Sequence, residues 1–149
     1  MTSYLIDINV WLALSWALHP HSAAAHGWLA SRPRPQTRLL FCRVTQLGLM
    51  RLLTNAAVMG GSVLNIAGAI QTVDRWSEDP RVELVSEPMG VDPALRRALR
   101  GVAARSATKA IMDAYLAAFA EALPATLITF DKALAKIAGR RPHIVLRSR

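Results

Sequence analysis

The chain has 149 residues, 52% of them hydrophobic, with 18 Lys and Arg against 10 Asp and Glu and a formal net charge of +8. This length and apolar share suit one domain, residues 1–149, with a real core, and exclude a disordered chain. The single Cys42 excludes an internal disulfide and fits a reducing, cytoplasmic compartment.

In chain order, residues 4–8 read as a short buried strand and residues 9–18 as a helix stopped by His19-Pro20. Residues 8–31 lack Asp, Glu, Lys and Arg, but His19, Pro20, His21 and His26 interrupt the run, which excludes a membrane span. Residues 21–31 form a second helical stretch, and Arg32-Pro33-Arg34-Pro35 a basic extended loop. Residues 38–42 read as a strand and 45–53 as a helix; Gly60-Gly61-Ser62 breaks the pattern before a helix over 63–76. Residues 83–85 give a third strand, 93–105 a basic amphipathic helix, and 109–123 an alanine-rich helix ended by Pro124. Residues 125–130 form a strand, 132–138 a short helix and 144–146 a last strand. Strands alternating with helices predict an α/β sandwich: a mainly parallel central sheet with helices on both faces. Ligands in such sheets bind beyond the carboxyl ends of the strands.

Charge is unevenly placed. Residues 76–95 carry Glu78, Asp79, Glu83, Glu87 and Asp92 against one Arg, so the rest of the chain is strongly basic. Such a body either attracts nucleic acid or is a solvated arginine-rich surface. Three other acids stand in apolar company: Asp7 in Leu5-Ile6-Asp7-Ile8-Asn9-Val10-Trp11, Asp113 in Ile111-Met112-Asp113-Ala114-Tyr115, and Asp131 after Leu127-Ile128-Thr129-Phe130. A carboxylate there is costly unless it is paired, hydrogen-bonded or bound to a metal. Asp7 and Asp131 each have a simpler reading as the N-cap of the helix that follows. Asp113 lies inside a helix with only Lys109 one turn back, so a cap does not explain it. Together the three suggest one metal site of the kind that cuts phosphodiesters.

The segments that carry these acids resemble the PIN-domain nucleases, specifically the VapC-type toxins of toxin–antitoxin pairs. Leu5-Ile6-Asp7-Ile8-Asn9-Val10-Trp11-Leu12 is similar to the opening strand and helix of that family. Residues 43–54, Arg43-Val44-Thr45-Gln46-Leu47-Gly48-Leu49-Met50-Arg51-Leu52-Leu53-Thr54, resemble its second motif, residues 112–120 its third and residues 127–131 its fourth. The resemblance implies a PIN-like (Rossmann-like) fold and Mg²⁺- or Mn²⁺-dependent RNA cleavage. Asp7, Asp113 and Asp131 would be the metal-binding catalytic acids, with Asn9 and Thr129 orienting carboxylates or water. Gln46 stands where many members carry a glutamate, so it would ligate or hold a water without adding charge. Arg43, Arg51, Arg96, Arg97, Arg100 and Lys109 are candidate contacts to RNA phosphates.

The resemblance further implies a homodimer and a VapB-like antitoxin partner, with Trp11, Trp16, Leu18 and Trp28 available to line a groove for its helix. Tryptophan among apolar residues is more often core. His19, His21 and His26 lack a companion at a zinc interval. Two other readings share these residues: a non-catalytic RNA-binding PIN module, suggested by Gln46, and a structure-specific DNA nuclease.

Overall fold

A computed structural model describes residues 1–103 and 108–148. Five strands form one parallel sheet: β1 (Thr2–Ile6), β2 (Thr37–Phe41), β3 (Val82–Leu84), β4 (Thr126–Thr129) and β5 (His143–Val145), in the order β3-β2-β1-β4-β5. Around it lie eight helices among the described residues: α1 (Ile8–Ser15), α2 (Ser22–Ala30), α3 (Arg43–Leu53), α4 (Ala56–Met59), α5 (Ile66–Ser77), α6 (Val91–Arg100), α7 (Thr108–Ala122) and α8 (Lys132–Ala138). The expected alternation of strands and helices is therefore present. The one addition is α4, a single turn that Asn55 caps by accepting from Ala57 N at 2.9 Å. Residues 104 and 105 of the expected basic helix lie outside the described residues; its observed part ends at Arg100.

The strands alternate with period two, and each face takes its own set of helices. Tyr4, Ile6, Leu39, Phe41 and Ile128 point into one core, where Trp11, Trp28, Leu49, Leu53 and Val73 of α1, α2, α3 and α5 pack. Leu5, Leu40 and Leu127 point into the other, against Val91, Ala94, Leu116, Ala117, Phe119 and Leu134 of α6, α7 and α8. Small residues at 114, 117, 118 and 120 let α7 lie close, and all four are buried.

Helix starts shift from the sequence reading by one to three residues, for local reasons. Asp7 takes the N-cap and α1 begins at Ile8, so β1 ends at Ile6. A capping box of Cys42 and Thr45 starts α3 at Arg43 rather than Thr45. Asn65 caps α5 by accepting from Gly68 N at 2.8 Å, which moves its start to Ile66.

The tryptophans answer the question of the apolar N-terminal run. Trp11 is fully buried, stacked on Phe41 at 3.8 Å between ring centroids and 9° between planes. Trp28 is buried edge-on to Tyr4, and Trp16 packs partly buried against the same core. Of the four residues expected to line a partner groove, only Leu18 is freely exposed. The run is split into α1 and α2, and among the described residues no single helix is long and apolar enough to cross a membrane.

Close approach of α1 and α3 depends on Gly48. A Cβ there would collide with Ile8 Cδ1 and meet Ile8 Cγ1 at 2.9 Å. Overpacking of this kind costs about 1–3 kcal/mol, against about 1 kcal/mol that Ala gains over Gly inside a helix. Gly48→Ala is expected to lower the urea midpoint, and Ile8→Val in the same chain to restore part of the loss. Equal midpoints for wild type and Gly48→Ala would show that Ile8 yields without cost.

Candidate active site

The sheet order reverses direction at β1: β2 follows on one side and β4, late in the chain, lies on the other. Such a switch point opens a crevice beyond the strand ends. Asp7 follows β1 directly, Asp131 lies two residues past β4, and Asp113 projects from the early part of α7. All three line one cleft of about 580 Å³, with Asn9, Arg51, Asn55 and Lys109 as its other polar residues. Ile8, Val44, Leu47, Leu52, Met112 and Leu116 give it apolar walls.

Asp7 is held at both oxygens. Oδ1 accepts from the Ile8 amide at 2.7 Å and Oδ2 from the Thr129 hydroxyl at 2.7 Å. The same Thr129 Oγ1 accepts from the Asp131 amide at 2.9 Å, so one buried hydroxyl links two of the acids. Asp131 Oδ1 caps α8, accepting from Ala133 N at 2.8 Å and Leu134 N at 3.4 Å. Capping and cleft-lining are thus roles of the same carboxylates rather than alternatives. The Lys109 ammonium bridges the remaining pair: it donates to Asp113 Oδ2 at 3.1 Å and contacts Asp131 Oδ2.

Proton affinities record this crowding of charge. Burial pushes the Asp7 carboxyl above the ordinary carboxylate range; Asp113 and Asp131 add to the rise, and the Thr129 and Ile8 bonds oppose it. Asp113 is also raised, by burial first, with Lys109 opposing and Asp131 adding. Asp131 goes the other way: burial works against its charge, but the Lys109 bond and the amides of α8 outweigh it. Lys109 is raised, its two carboxylates outweighing partial burial.

The other sequence candidates divide. Asn9 and Arg51 lie in the cleft, and both are exposed. Gln46 does not line it: the cleft-facing positions of α3 are Val44, Leu47, Gly48, Arg51 and Leu52, one helical stripe that passes Gln46 by. Gln46 instead accepts from the Arg43 guanidinium, and neither residue is among those that line the cleft. Arg96, Arg97 and Arg100 lie exposed on α6, where Arg96 pairs with Asp92 and Arg97 with Glu121. Missing from the sequence reading is the bridging place of Lys109. Its spacing to Asp113 was visible, but nothing local reports Asp131, 22 residues away.

Among the described residues no three His, Cys, Asp or Glu side chains are spaced to close on one metal ion. Asp113 and Asp131 close on Lys109 instead. The donor chemistry nonetheless fits Mg²⁺ or Mn²⁺: the acids offer hard oxygens only, and such ions take one or two carboxylates and keep several waters.

The chain belongs to the PIN-domain family, whose model matches residues 4–140. Within that family it groups with VapC-type proteins: it is 39% identical to Ribonuclease VapC41 of Mycobacterium tuberculosis, over 91% of this chain and 93% of that protein. Its fold is that of VapBC-1 from nontypeable Haemophilus influenzae, with a TM-score of 0.72, 16% identity and coverage of 97% and 98%. VapBC2 from Rickettsia felis, solved bound to a DNA fragment from its promoter, gives a TM-score of 0.69 at 13% identity, covering 98% and 100%.

Two measurements check the electrostatics. Asp113 has a folded-state affinity for its proton above the unfolded value of about 3.9, so its contribution to stability is full below that pH and is lost as pH rises through the folded value. Metal-free Asp113→Asn should therefore be more stable than wild type in urea at pH 7, with the gain shrinking toward about pH 4; a lower midpoint at pH 7 would contradict this. Thr129→Val deprives Asp7 Oδ2 and the Asp131 amide of their shared partner, at a cost of about 1–3 kcal/mol. Thr129→Ser should recover it, and a neutral valine would show that water replaces the hydroxyl.

Proposed function

We propose that this chain is a Mg²⁺-dependent endoribonuclease of the toxin class, neutralised by a small VapB-like antitoxin and working as a cytoplasmic homodimer. The carrying observation is the convergence of Asp7, Asp113 and Asp131, from β1, α7 and the end of β4, on one cleft at the switch point of the sheet. The name of the M. tuberculosis relative supports ribonuclease chemistry, and the VapBC structures support an antitoxin partner.

Asp7, Asp113 and Asp131 would hold the ion after drawing in from the spacing seen here, and the ion when bound lowers the pKa of a water and steadies the charge on the leaving oxygen. Thr129 fixes the direction of Asp7, because its hydroxyl and the Ile8 amide together leave that carboxylate little rotational freedom. Arg51, on the cleft wall, meets the phosphodiester backbone as a diffuse guanidinium charge. Asn9 offers an amide at the rim for a phosphate oxygen or a bound water. The apolar walls shed bulk water from the bound backbone and strengthen each charge contact. Exposed Leu47 and Met112 at the cleft, beside its carboxylates, suit an antitoxin segment with apolar and basic side chains. The second copy finds apolar surface at Val58, Val63, Ile66 and Ile70, all exposed on or beside α4 and α5.

Purified chain should cleave RNA with Mg²⁺ or Mn²⁺ and stop on chelation. Asp7→Asn and Asp113→Asn should each reduce cleavage by more than about 100-fold, beyond the loss typical of an outer-shell partner, while keeping a folded circular-dichroism spectrum. Cleavage that survives chelation, or survives Asp113→Asn, would rule out this mechanism. Growth arrest relieved by co-expressing the adjacent upstream reading frame tests the toxin assignment separately.

A further inference from the structure

We propose that Lys109 is a tethered competitor of the divalent ion: its ammonium occupies the carboxylate oxygen that the metal needs and must leave before the ion is fully held. The inference rests on the metal-dependent reading above. Its basis is the allocation of oxygens. Asp131 Oδ1 is committed to the amides of Ala133 and Leu134, which begin α8. That leaves Oδ2, and Lys109 contacts that atom. Lys109 also donates to Oδ2 of Asp113, so one ammonium spans the two carboxylates that come from different elements.

Asp7 does not share this arrangement, since its oxygens are taken by Ile8 and Thr129. The ammonium therefore gathers the two acids that no neutral donor joins to each other. It supplies one positive charge to a cluster whose like charges repel, which is the service a divalent ion would perform more strongly. Lys109 is equipped to withdraw. It lies in the first turn of α7, its side chain is 62% exposed, and a flexible four-carbon stem carries a strongly hydrated head. A metal threshold follows: the ion must outbid an internal cation, so binding is weaker than the carboxylates alone would give.

Mn²⁺ titration of the full chain, followed by isothermal calorimetry and by loss of the free-ion paramagnetic signal, tests this without any RNA. Lys109→Met and Lys109→Gln should each bind Mn²⁺ about ten-fold tighter than wild type at low salt. Lys109→Arg should stay near wild type. Without metal, Lys109→Met should melt below wild type, because the acids lose their bridge. Equal or weaker Mn²⁺ binding by both neutral variants would overturn the role of Lys109 while leaving the metal reading intact. Absence of any Mn²⁺ binding by wild type, Lys109→Met and Lys109→Gln alike would overturn both.

Discussion

The hydrogen bond from Thr129 to Asp7 ties the two central strands together at the point where the site is built. β1 and β4 are neighbours in the sheet but lie 122 residues apart at this contact. The hydroxyl is fully buried and spends its acceptor on the Asp131 amide, so a single atom ties the Asp7 carboxylate to the backbone at which α8 is capped. A buried carboxylate without such partners would reject its charge. The fold keeps Asp7 in the cleft by giving each of its oxygens a donor, and that fixes where the neighbouring elements begin.

Charge in the cleft is under tension by construction. Two of the acids are held above their ordinary proton affinity and one below, and the difference follows from the donors each can reach. Asp131 has helix amides and Lys109, whereas Asp113 has Lys109 alone against burial. Sites that assemble like charges are less stable than their neutral counterparts, and a cation relieves them.

Much of this was legible from residues alone. The alternation of elements gave a parallel α/β sheet, and two acids in apolar segments, Asp7 and Asp131, marked the strand ends at which the crevice opens. Boundaries were less readable, since Asp7, Asn65 and the Cys42–Thr45 box set them through side-chain bonds that apolar periodicity does not encode. For Gln46, motif similarity fixes a position along α3 but not which way it faces; the stripe that lines the cleft runs through Leu47, Gly48 and Arg51. Burial of Trp11 and Trp28 agrees with the tendency of tryptophan among apolar residues to be core, but that Phe41 of β2 and Tyr4 of β1 cover them was not readable from the run that holds them. Such contacts are long-range: they depend on what another part of the chain brings opposite.

The position of β1 in the middle of the sheet also bears on how the protein is made. Thr129 of β4, with Asp131 after it, leaves the ribosome 122 residues after Asp7. At roughly 5–20 residues per second, the nascent chain carries Asp7 unpaired to its distant partner for on the order of ten seconds. A product that stops short of β4 has no cleft at all. The carboxylate site is therefore assembled only after β4 has been made, and never on a nascent chain that carries β1 alone.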